Sequence, residues 1–277
     1  MDIVKSFPKK KICLIFNFVV ILGINFTKMK ELDFFRTRRT IRNYTNVPIP
    51  DELLIELLEA ASHAPTTGNM QLYSVVVTRD EESKRALSPS HFNQPSVMGC
   101  NVLLTFCADF NRFVKWCELR NAAPGYDNFQ SFITALLDVT IFAQQFCMLA
   151  EMAGLGCCYL GTTTYNAPQI AEHLQLPDRV VPVITLTVGY PADESKISDR
   201  LPVSAIVHNE RYKNYSVDDI NIMYQEKENL ADSKRFIAEN GKETLAQVFT
   251  DIRYTKANNE AFSKIYRDFI VDKKFDI

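Results

Sequence analysis

The sequence lacks an excess of basic residues. It has 31 lysines and arginines against 33 aspartates and glutamates, which gives a formal net charge of -2 over 277 residues. Proteins that bind nucleic acids through the phosphate backbone usually carry a basic excess, so this balance argues against that class of function. It also lacks internal repeats and low-complexity segments. A composition that is 47% hydrophobic and 23% charged indicates an ordinary globular protein with a large core.

The common local motifs for nucleotides, hydrolysis and metals are also missing. The stretch "GLGCCYLGTTT" (154–164) contains closely spaced glycines, but they follow a predicted helix instead of a strand, which excludes a dinucleotide fingerprint. There is no Walker motif and no G-x-S-x-G elbow. The histidines have no metal-ligand spacing, and we expect surface or loop positions for His63, His91, His173 and His208. His63 lies near a polar loop and is the one histidine that we retain as a candidate site residue.

The seven cysteines include no C-x-x-C pair, which argues against zinc-binding and thioredoxin-like motifs. Most of them lie in apolar runs such as "NVLLTFCADF", so we expect buried, reduced thiols. Reduced thiols are typical of a reducing compartment, and we predict a cytoplasmic protein.

The N-terminal region resembles a targeting segment. Residues 9–24, "KKKICLIFNFVVILGI", place three lysines before an apolar run, as in a signal peptide. The run is short for a membrane span, no small-residue cleavage site follows, and Met29 offers a natural start. We interpret residues 1–28 as a leader or an over-extended start, with an uncleaved membrane anchor as the alternative. No other transmembrane segment is predicted.

Hydrophobic periodicity predicts a mixture of helices and strands. The pattern indicates helices over 50–64, 129–154 and 166–177, and strands over 72–80, 101–110 and 180–191. The helix over 129–154 is apolar on several faces, so we expect it at the centre of the fold or in a subunit interface. From about Val217 the chain becomes polar and is predicted to be helical. We therefore predict one α+β domain over residues 29–277, with a helical C-terminal tail.

Two short stretches carry chemistry. In "RTRRTIRNYTNVPIP" (36–50), four arginines fall within seven positions. If the stretch begins a helix, Arg38 and Arg42 share one face, and paired guanidiniums suit a phosphate; a solvated basic face is the alternative. The loop "APTTGNMQ" (64–71) offers hydroxyls, amides and backbone N–H groups, which can hold a polar ring edge or a phosphate. An ordinary helix-to-strand turn explains that loop equally well.

Taken in order, these stretches resemble the FMN-dependent nitroreductase family, and within it the major oxygen-insensitive nitroreductase and NADPH–flavin reductase subgroup. The resemblance is carried by "RRTIRNYTNVPIP" (38–50), "APTTGNMQ" (64–71), "FCADFNR" (106–112), "GLGCCYLGTTTYN" (154–166), "LPDRVVPVITLTVGYPA" (176–192) and "DRLP" (199–202). It implies a central mixed or antiparallel sheet flanked by helices. It also implies a homodimer with FMN sites at the subunit interface.

The resemblance assigns a role to each motif. It implies that the FMN phosphate is bound by Arg38, Arg39, Thr40 and Arg42, with Arg200 as a further flavin-binding arginine. It places the loop of Pro65, Thr66, Thr67 and Gly68 along the isoalloxazine ring, and Gln94 at the ring edge. It matches Tyr159, Leu160, Gly161 and Thr162 to the segment whose backbone N–H approaches flavin N5. It implies no essential acid or base and no metal, so we assign no catalytic residue.

The sequence departs from the subgroup at two places beside the implied site. Ser198 stands where the subgroup usually has a lysine two residues before the arginine of "DRLP". Such a lysine stabilises negative charge at flavin N1 and O2, so we expect a flavin that is harder to reduce, or another residue in that role. In "GTTTYN", Thr162 and Thr164 replace the usual glycine and arginine, which leaves the substrate and nicotinamide preference open.

The resemblance implies an oxidoreductase that passes two electrons from NADPH or NADH to a small electron-poor acceptor by a ping-pong mechanism. The acceptors implied are nitroaromatics, quinones or flavins. One alternative is a non-enzymatic protein that binds flavin or nucleotide on the same fold. Another is a membrane-tethered interaction protein, which rests on residues 9–24 alone.

Overall fold

The computed structural model describes residues 32–277, and these form two compact units. The smaller unit contains residues 32–39 and Lys196–Ser198, and the larger contains Thr40–Ser195 and Asp199–Ile277. The predicted leader over residues 1–28 lies outside the described residues. The prediction of one domain over 29–277 stays a prediction.

The larger unit is built on a four-stranded antiparallel sheet. Its strands are β1 (Tyr73–Thr78), β2 (Val102–Asp109), β3 (Gly156–Leu160) and β4 (Val180–Gly189), in the order β1-β2-β4-β3. Every residue of β2 is buried, and so is nearly every residue of β4, because both strands are central and covered on both faces. The remaining two strands, β1 and β3, form the edges. The predicted α+β class with an antiparallel central sheet is confirmed.

Helices follow or precede each strand and continue into the C-terminal tail. In the strand-containing part they are α1 (Asp51–Ala61), α2 (Glu81–Leu87), α3 (Pro95–Gly99), α4 (Asn111–Glu118), α5 (Phe129–Met152) and α6 (Ala167–His173). The tail contains α7 (Val217–Asn229), α8 (Ala231–Glu239), α9 (Leu245–Gln247), a π-helical turn over Val248–Arg253 and α10 (Lys256–Asp272). The predicted helical tail from Val217 is confirmed. Polar caps mark these starts: α7, for example, begins after a capping box between Ser216 and Asp219.

Helix α5 is the central helix of the fold, as predicted. It contacts all four strands and α1. Its Phe142 ring lies 4.3 Å from that of Tyr73 and 5.4 Å from that of Phe106. Each such buried aromatic side chain stabilises the fold by about 2 kcal/mol. Within residues 32–277, α5 is the one helix whose length and composition would allow a membrane span, a test that buried core helices also pass.

The arginine stretch does not begin a helix, so the prediction that Arg38 and Arg42 share a helix face is wrong. Residues 32–36 are helical and residues 38–43 are not. The Ile41 N–H instead donates to the Cys157 carbonyl on β3 at 3.1 Å. Ile41 is thus held by a residue 116 positions away in the chain. The local hydrophobic periodicity of the sequence carries no information about such a contact.

The prediction of buried thiols is confirmed for the described part of the chain. All six cysteines there are buried thiols outside any disulfide: Cys100, Cys107, Cys117, Cys147, Cys157 and Cys158. Cys13 lies outside the described residues. Burial raises the pKa of the Cys100 thiol to about 11, which keeps it protonated and unreactive at neutral pH.

Candidate functional site

The segment that carries Thr40 and Arg42 is fixed to the free edge of β3. Besides its backbone hydrogen bond to Cys157, Ile41 packs its side chain over Gly156, where a Cβ would lie only 2.5 Å from the Cβ of Ile41. The Tyr44 hydroxyl lies 2.7 Å from the Ile41 carbonyl oxygen and holds the segment from its other end. Arg42 is exposed, so its guanidinium stands free of the core on a backbone that the sheet edge holds.

The other arginines of the cluster lie in the smaller unit, together with Ser198. Arg36 pairs with Asp33 at 3.0 Å, which balances its charge locally. Arg38 and Arg39 are half-buried. Of the four arginines in this stretch, Arg42 therefore belongs to the larger unit, which contains the sheet.

The loop with Thr66 and Thr67 is organised by Asp138, a buried residue of α5. The Asp138 carboxylate accepts hydrogen bonds from the Thr67 backbone N–H and hydroxyl, each at 3.0 Å, and from the Thr66 hydroxyl. It also accepts from the Leu72 N–H at 3.4 Å. Four donors on one carboxylate compensate its burial at 2% exposure and fix the loop.

Past Thr67 the loop turns outward. Gly68 has a positive φ of 56°, a conformation that favours glycine at the tip. Pro65, Thr67 and Gly68 are exposed and Thr66 is half-buried. The polar loop of the sequence analysis is thus a rigid surface loop. Its two threonine hydroxyls donate inward to Asp138, and the Thr66 oxygen also accepts from the Gln71 backbone N–H at 3.0 Å.

The end of β3 presents its backbone to solvent. Tyr159 is the exposed residue of the strand, and its hydroxyl donates to Gln144 Oε1 of α5 at 3.0 Å. Gly161 follows the buried Leu160 and is exposed, with no atom within 4 Å of the position of a Cβ. A ligand can therefore approach the Gly161 backbone closely. The turn behind it is held by the Thr163 hydroxyl, which donates to the Leu160 carbonyl at 2.9 Å.

His91 joins the Gln94 segment to the end of β3. Its Nδ1 lies 2.9 Å from the hydroxyl of Thr162, and both side chains are buried. Burial lowers the pKa of His91 to about 4, so the ring is neutral at pH 7. The expectation that all four histidines lie at the surface or in open loops is wrong for His91, which is 0% exposed. His63 is exposed, and no described contact links it to these segments.

The described contacts bring together four of the predicted segments. The 40–42 segment lies on β3. The Thr66–Thr67 loop and Tyr159 are both hydrogen-bonded to α5, through Asp138 and Gln144. These two residues are six positions apart, which is about 9 Å along the helix axis. Gln94 is linked to Thr162 through His91. The described bond of the exposed Arg200 is to the carbonyl of its neighbour Asp199, at 2.8 Å. Arg38, Arg39 and Ser198 belong to the other unit.

Comparison with known proteins identifies the family. The sequence profile of the nitroreductase family matches residues 35–190, more than half of the chain. The chain belongs to the nitroreductase family. A Cr(VI) reductase of Pseudomonas sp. (strain G-1) is 32% identical over 192 residues, which cover 69% of this chain and 78% of the reductase. An NADPH-dependent FMN reductase of Bacillus subtilis is 35% identical over 183 residues, which cover 65% of this chain and 73% of that protein.

A solved oxidoreductase structure from Bacteroides fragilis is 54% identical, with a TM-score of 0.87 over 88% of this chain and all of that one. This family membership confirms the predicted family, fold and enzyme class. The names of the relatives also confirm, at the level of the family, the predicted cofactors FMN and NADPH or NADH. Because the relatives in this family are enzymes, the alternative of a non-enzymatic protein that binds flavin or nucleotide on the same fold is set aside.

The residues of this nitroreductase fit an FMN molecule. The donor set contains what a flavin phosphate needs, an exposed guanidinium at Arg42 on a fixed backbone. The space around Gly161 is what a flat ring needs in order to approach a backbone N–H group. The chain departs from the subgroup at Ser198 and Thr164, and neither residue carries a positive charge.

Three residues that shape the site were missed by sequence reasoning: His91, Asp138 and Gln144. Asp138 gave a usable signal, because it is the single charged residue between Asp127 and Glu151 in an otherwise apolar helix. A charge at such a position must be compensated by several donors. His91 and Gln144 gave no local signal, since their partners lie 71 and 15 positions away.

Proposed function

We propose that this nitroreductase binds FMN and passes two electrons from NADPH or NADH to a small electron-poor acceptor such as a nitroaromatic, a quinone or a free flavin. The observation that carries the proposal is the open backbone of Gly161, which directly follows β3, the strand to which the Arg42 segment is hydrogen-bonded. FMN, when bound, supplies the capacity to take a hydride from a nicotinamide and to release two electrons to an acceptor.

In this proposal the chain's own residues bind and orient the cofactor. Arg42, with Arg38, Arg39 and Thr40, would neutralise the roughly two negative charges of the phosphate. Arg200 would be a further flavin-binding arginine. Gln94 and the backbone around Gly161 and Thr162 would contact the ring edge, and the loop of Pro65, Thr66, Thr67 and Gly68 would lie along the ring.

The rigidity of these segments supports the proposal. The loop is held by the buried Asp138 and Thr162 by the buried His91, while Tyr159 is bonded to the exposed Gln144, so each of these segments has a partner on a neighbouring element. Donors that are oriented before the reaction stabilise developing charge without a cost of reorganisation. The lysine that the subgroup usually places at the Ser198 position is absent. Lys227 pairs with Asp199, the residue after Ser198 in the chain, at 2.7 Å, which reduces the effect of Lys227 as a positive charge.

The proposed order of events is ping-pong. The nicotinamide binds first and leaves after oxidation, and the acceptor then occupies the same place. Tyr159 and Gly161 leave an exposed surface at the end of β3 that could serve both molecules. The chain needs no acid or base for this exchange, and His91, buried and neutral, is unsuited to either role.

A homodimer in the cytoplasm is part of the proposal. Helix α5 is central in the fold, yet Phe129, Leu137 and Ile141 on it are 57%, 57% and 41% exposed. Exposed apolar side chains that lie together on one face are what a protein–protein interface needs, and these three lie four and eight positions apart on the helix. The buried thiols outside any disulfide fit a reducing compartment. Light scattering on the purified protein would measure the dimer directly.

The deciding experiment is an absorption spectrum of the purified protein, before and after NADPH or NADH is added under nitrogen. We expect flavin bands that bleach on addition of the nicotinamide and return with an electron acceptor. Retention of flavin bands without bleaching would contradict an NAD(P)H oxidoreductase. A colourless protein that also fails to take up added FMN would overturn the whole proposal.

A further inference from the structure

The pair of His91 and Thr162 is a buried polar contact that the proposed reaction does not use. His91 is 0% and Thr162 is 7% exposed, and His91 Nδ1 lies 2.9 Å from Thr162 Oγ1. Within residues 32–277, His91 Nε2 is buried and has no hydrogen-bond partner. Thr162 also stands at the position where the resemblance implies a glycine. A polar side chain added at such a place needs an explanation, because burial without full compensation costs free energy.

Counting hydrogens favours the neutral form of the imidazole in this pair. A neutral ring and a hydroxyl bring two polar hydrogens, and in either tautomer one forms the shared bond and one remains. A protonated ring would bring three hydrogens to the same single bond and leave two unsatisfied in a buried place. The lowered pKa of His91, which burial causes, agrees with this count. The pair is therefore a fixed neutral contact with one hydrogen left for a further acceptor.

The pair connects two segments of the proposed flavin site. Thr162 follows Gly161 directly, and His91 precedes Gln94 by three residues. Between them, Phe92 and Asn93 have positive φ values of 54° and 51°. Two consecutive residues other than glycine in this region cost about 1 kcal/mol or more each, so the surrounding contacts must hold them there.

Two further contacts join the same segments. Asn166 donates from its side-chain amide to the Ser90 carbonyl at 2.7 Å. The Phe262 ring of α10 stacks on Tyr165 at 4.3 Å and lies 6.4 Å from the Phe92 ring. The strained turn before Gln94 and the turn after Gly161 are thus tied at three points, and His91–Thr162 is the buried one beside the proposed ligand.

We propose that His91 is a positioning residue of the flavin site, which acts through its hydrogen bond to Thr162 to set the backbone at Gly161 and the direction of Gln94. The inference rests on the proposed function, because it concerns the cofactor named there. It assigns a use to the threonine that replaces glycine in "GTTTYN". His91 does not touch the reacting atoms and moves no proton.

The test is FMN titration of the flavin-free protein, followed by flavin fluorescence, with paired variants. Thr162→Val and His91→Leu keep the volume and remove the hydrogen bond, whereas Thr162→Ser and His91→Asn keep a polar partner. We expect the first two to raise the Kd for FMN about tenfold, the second two to stay within about threefold, and the double variant to be no worse than either single one. Thr105→Val is the matched control, because Thr105 is 0% exposed in β2 and its hydroxyl has no partner among the described residues.

Thermal unfolding of every variant shows whether a weaker FMN affinity comes from a misplaced backbone in a stable protein or from a loss of overall stability. If His91→Leu fails to fold, Thr162→Val and its serine counterpart decide the question. Wild-type affinity in Thr162→Val, or equal losses in the valine and serine variants, would overturn the positioning role while the proposed function stands. A wild-type protein that binds no FMN would overturn both.

Discussion

The Cβ of Ile41 lies 2.5 Å from the position that a Cβ on Gly156 would occupy. This distance is shorter than any two side-chain carbons tolerate, so the edge of β3 and the arginine segment fit together only because residue 156 is glycine. Gly156→Ala should push the 40–42 segment away from the strand. We expect a loss of about 1–3 kcal/mol in the free energy of unfolding and weaker FMN binding, measured by denaturant titration and by flavin fluorescence.

Gly99→Ala is the control for that substitution. Gly99 ends α3, and no atom lies within 4 Å of its Cβ position, so we expect little change in stability or FMN affinity. Equal behaviour of the two alanine variants would show that the packing of Ile41 on Gly156 does not hold the segment.

Arg42 offers a direct test of the phosphate contact. Arg42→Ala should weaken FMN binding by about 1–3 kcal/mol, because it removes one charge-assisted contact to the phosphate. Arg36→Ala serves as the comparison, since Arg36 is a nearby arginine already paired with Asp33 at 3.0 Å. The loss should also shrink at high salt. Unchanged FMN retention in Arg42→Ala would refute the assignment.

The Asp138 carboxylate anchors the loop at Thr66 and Thr67, so we expect its removal to loosen the loop. Asp138→Asn replaces one acceptor oxygen with a donor, which then faces the donors of the loop. We expect about 2 kcal/mol lower stability and faster proteolysis within residues 64–71, measured by denaturant unfolding and limited digestion. The exposed Asp178 should tolerate the same change to asparagine. A loop as protected as in the wild type would contradict the anchoring role.

The lowered pKa of His91 predicts that the free energy of unfolding depends on pH. Its folded-state pKa of about 4 lies below the ordinary 6.5, so at pH 5 the unfolded chain binds a proton that the folded chain does not. The contribution of His91 to the free energy of unfolding is therefore fully present above pH 6.5, and it is lost as the pH falls toward 4. At pH 5 we expect the loss to be about 2 kcal/mol relative to pH 7.

The measurement is denaturant unfolding at both pH values, with His91→Asn as the reference. The difference between pH 7 and pH 5 should be smaller in the asparagine variant by that amount. Identical pH dependence in the two proteins would mean that His91 titrates normally in the folded state.

The sequence alone was sufficient for the elements that local pattern determines. Helix α5 and strands β2 and β4 are long and apolar, and their predicted positions agree with the structure within a few residues. Strand β3 was missed because it has only five residues, of which Tyr159 alone is exposed, so no alternation is visible.

The organisation of the site depends on contacts between distant positions, and these are the parts that the sequence did not reveal. The non-helical arginine segment is hydrogen-bonded to Cys157, 116 positions away, and the buried His91 contacts Thr162, 71 positions away. Both are tertiary effects that override local preference. The motifs predicted the residues of the candidate site, while the partners that hold those segments became visible only in the fold.

The segment at Ile41 also protects the sheet. An unpaired edge strand offers a row of free N–H and C=O groups to any other extended chain, which is a common route to aggregation. Here the Ile41 N–H occupies the Cys157 carbonyl, and Tyr44 pairs with Pro191 beyond the end of β4. The stretch that carries Arg42, the arginine proposed to bind the phosphate, therefore also covers the edge of the strand. Variants that loosen it should be recognisable by precipitation on storage, even before their loss of cofactor is measured.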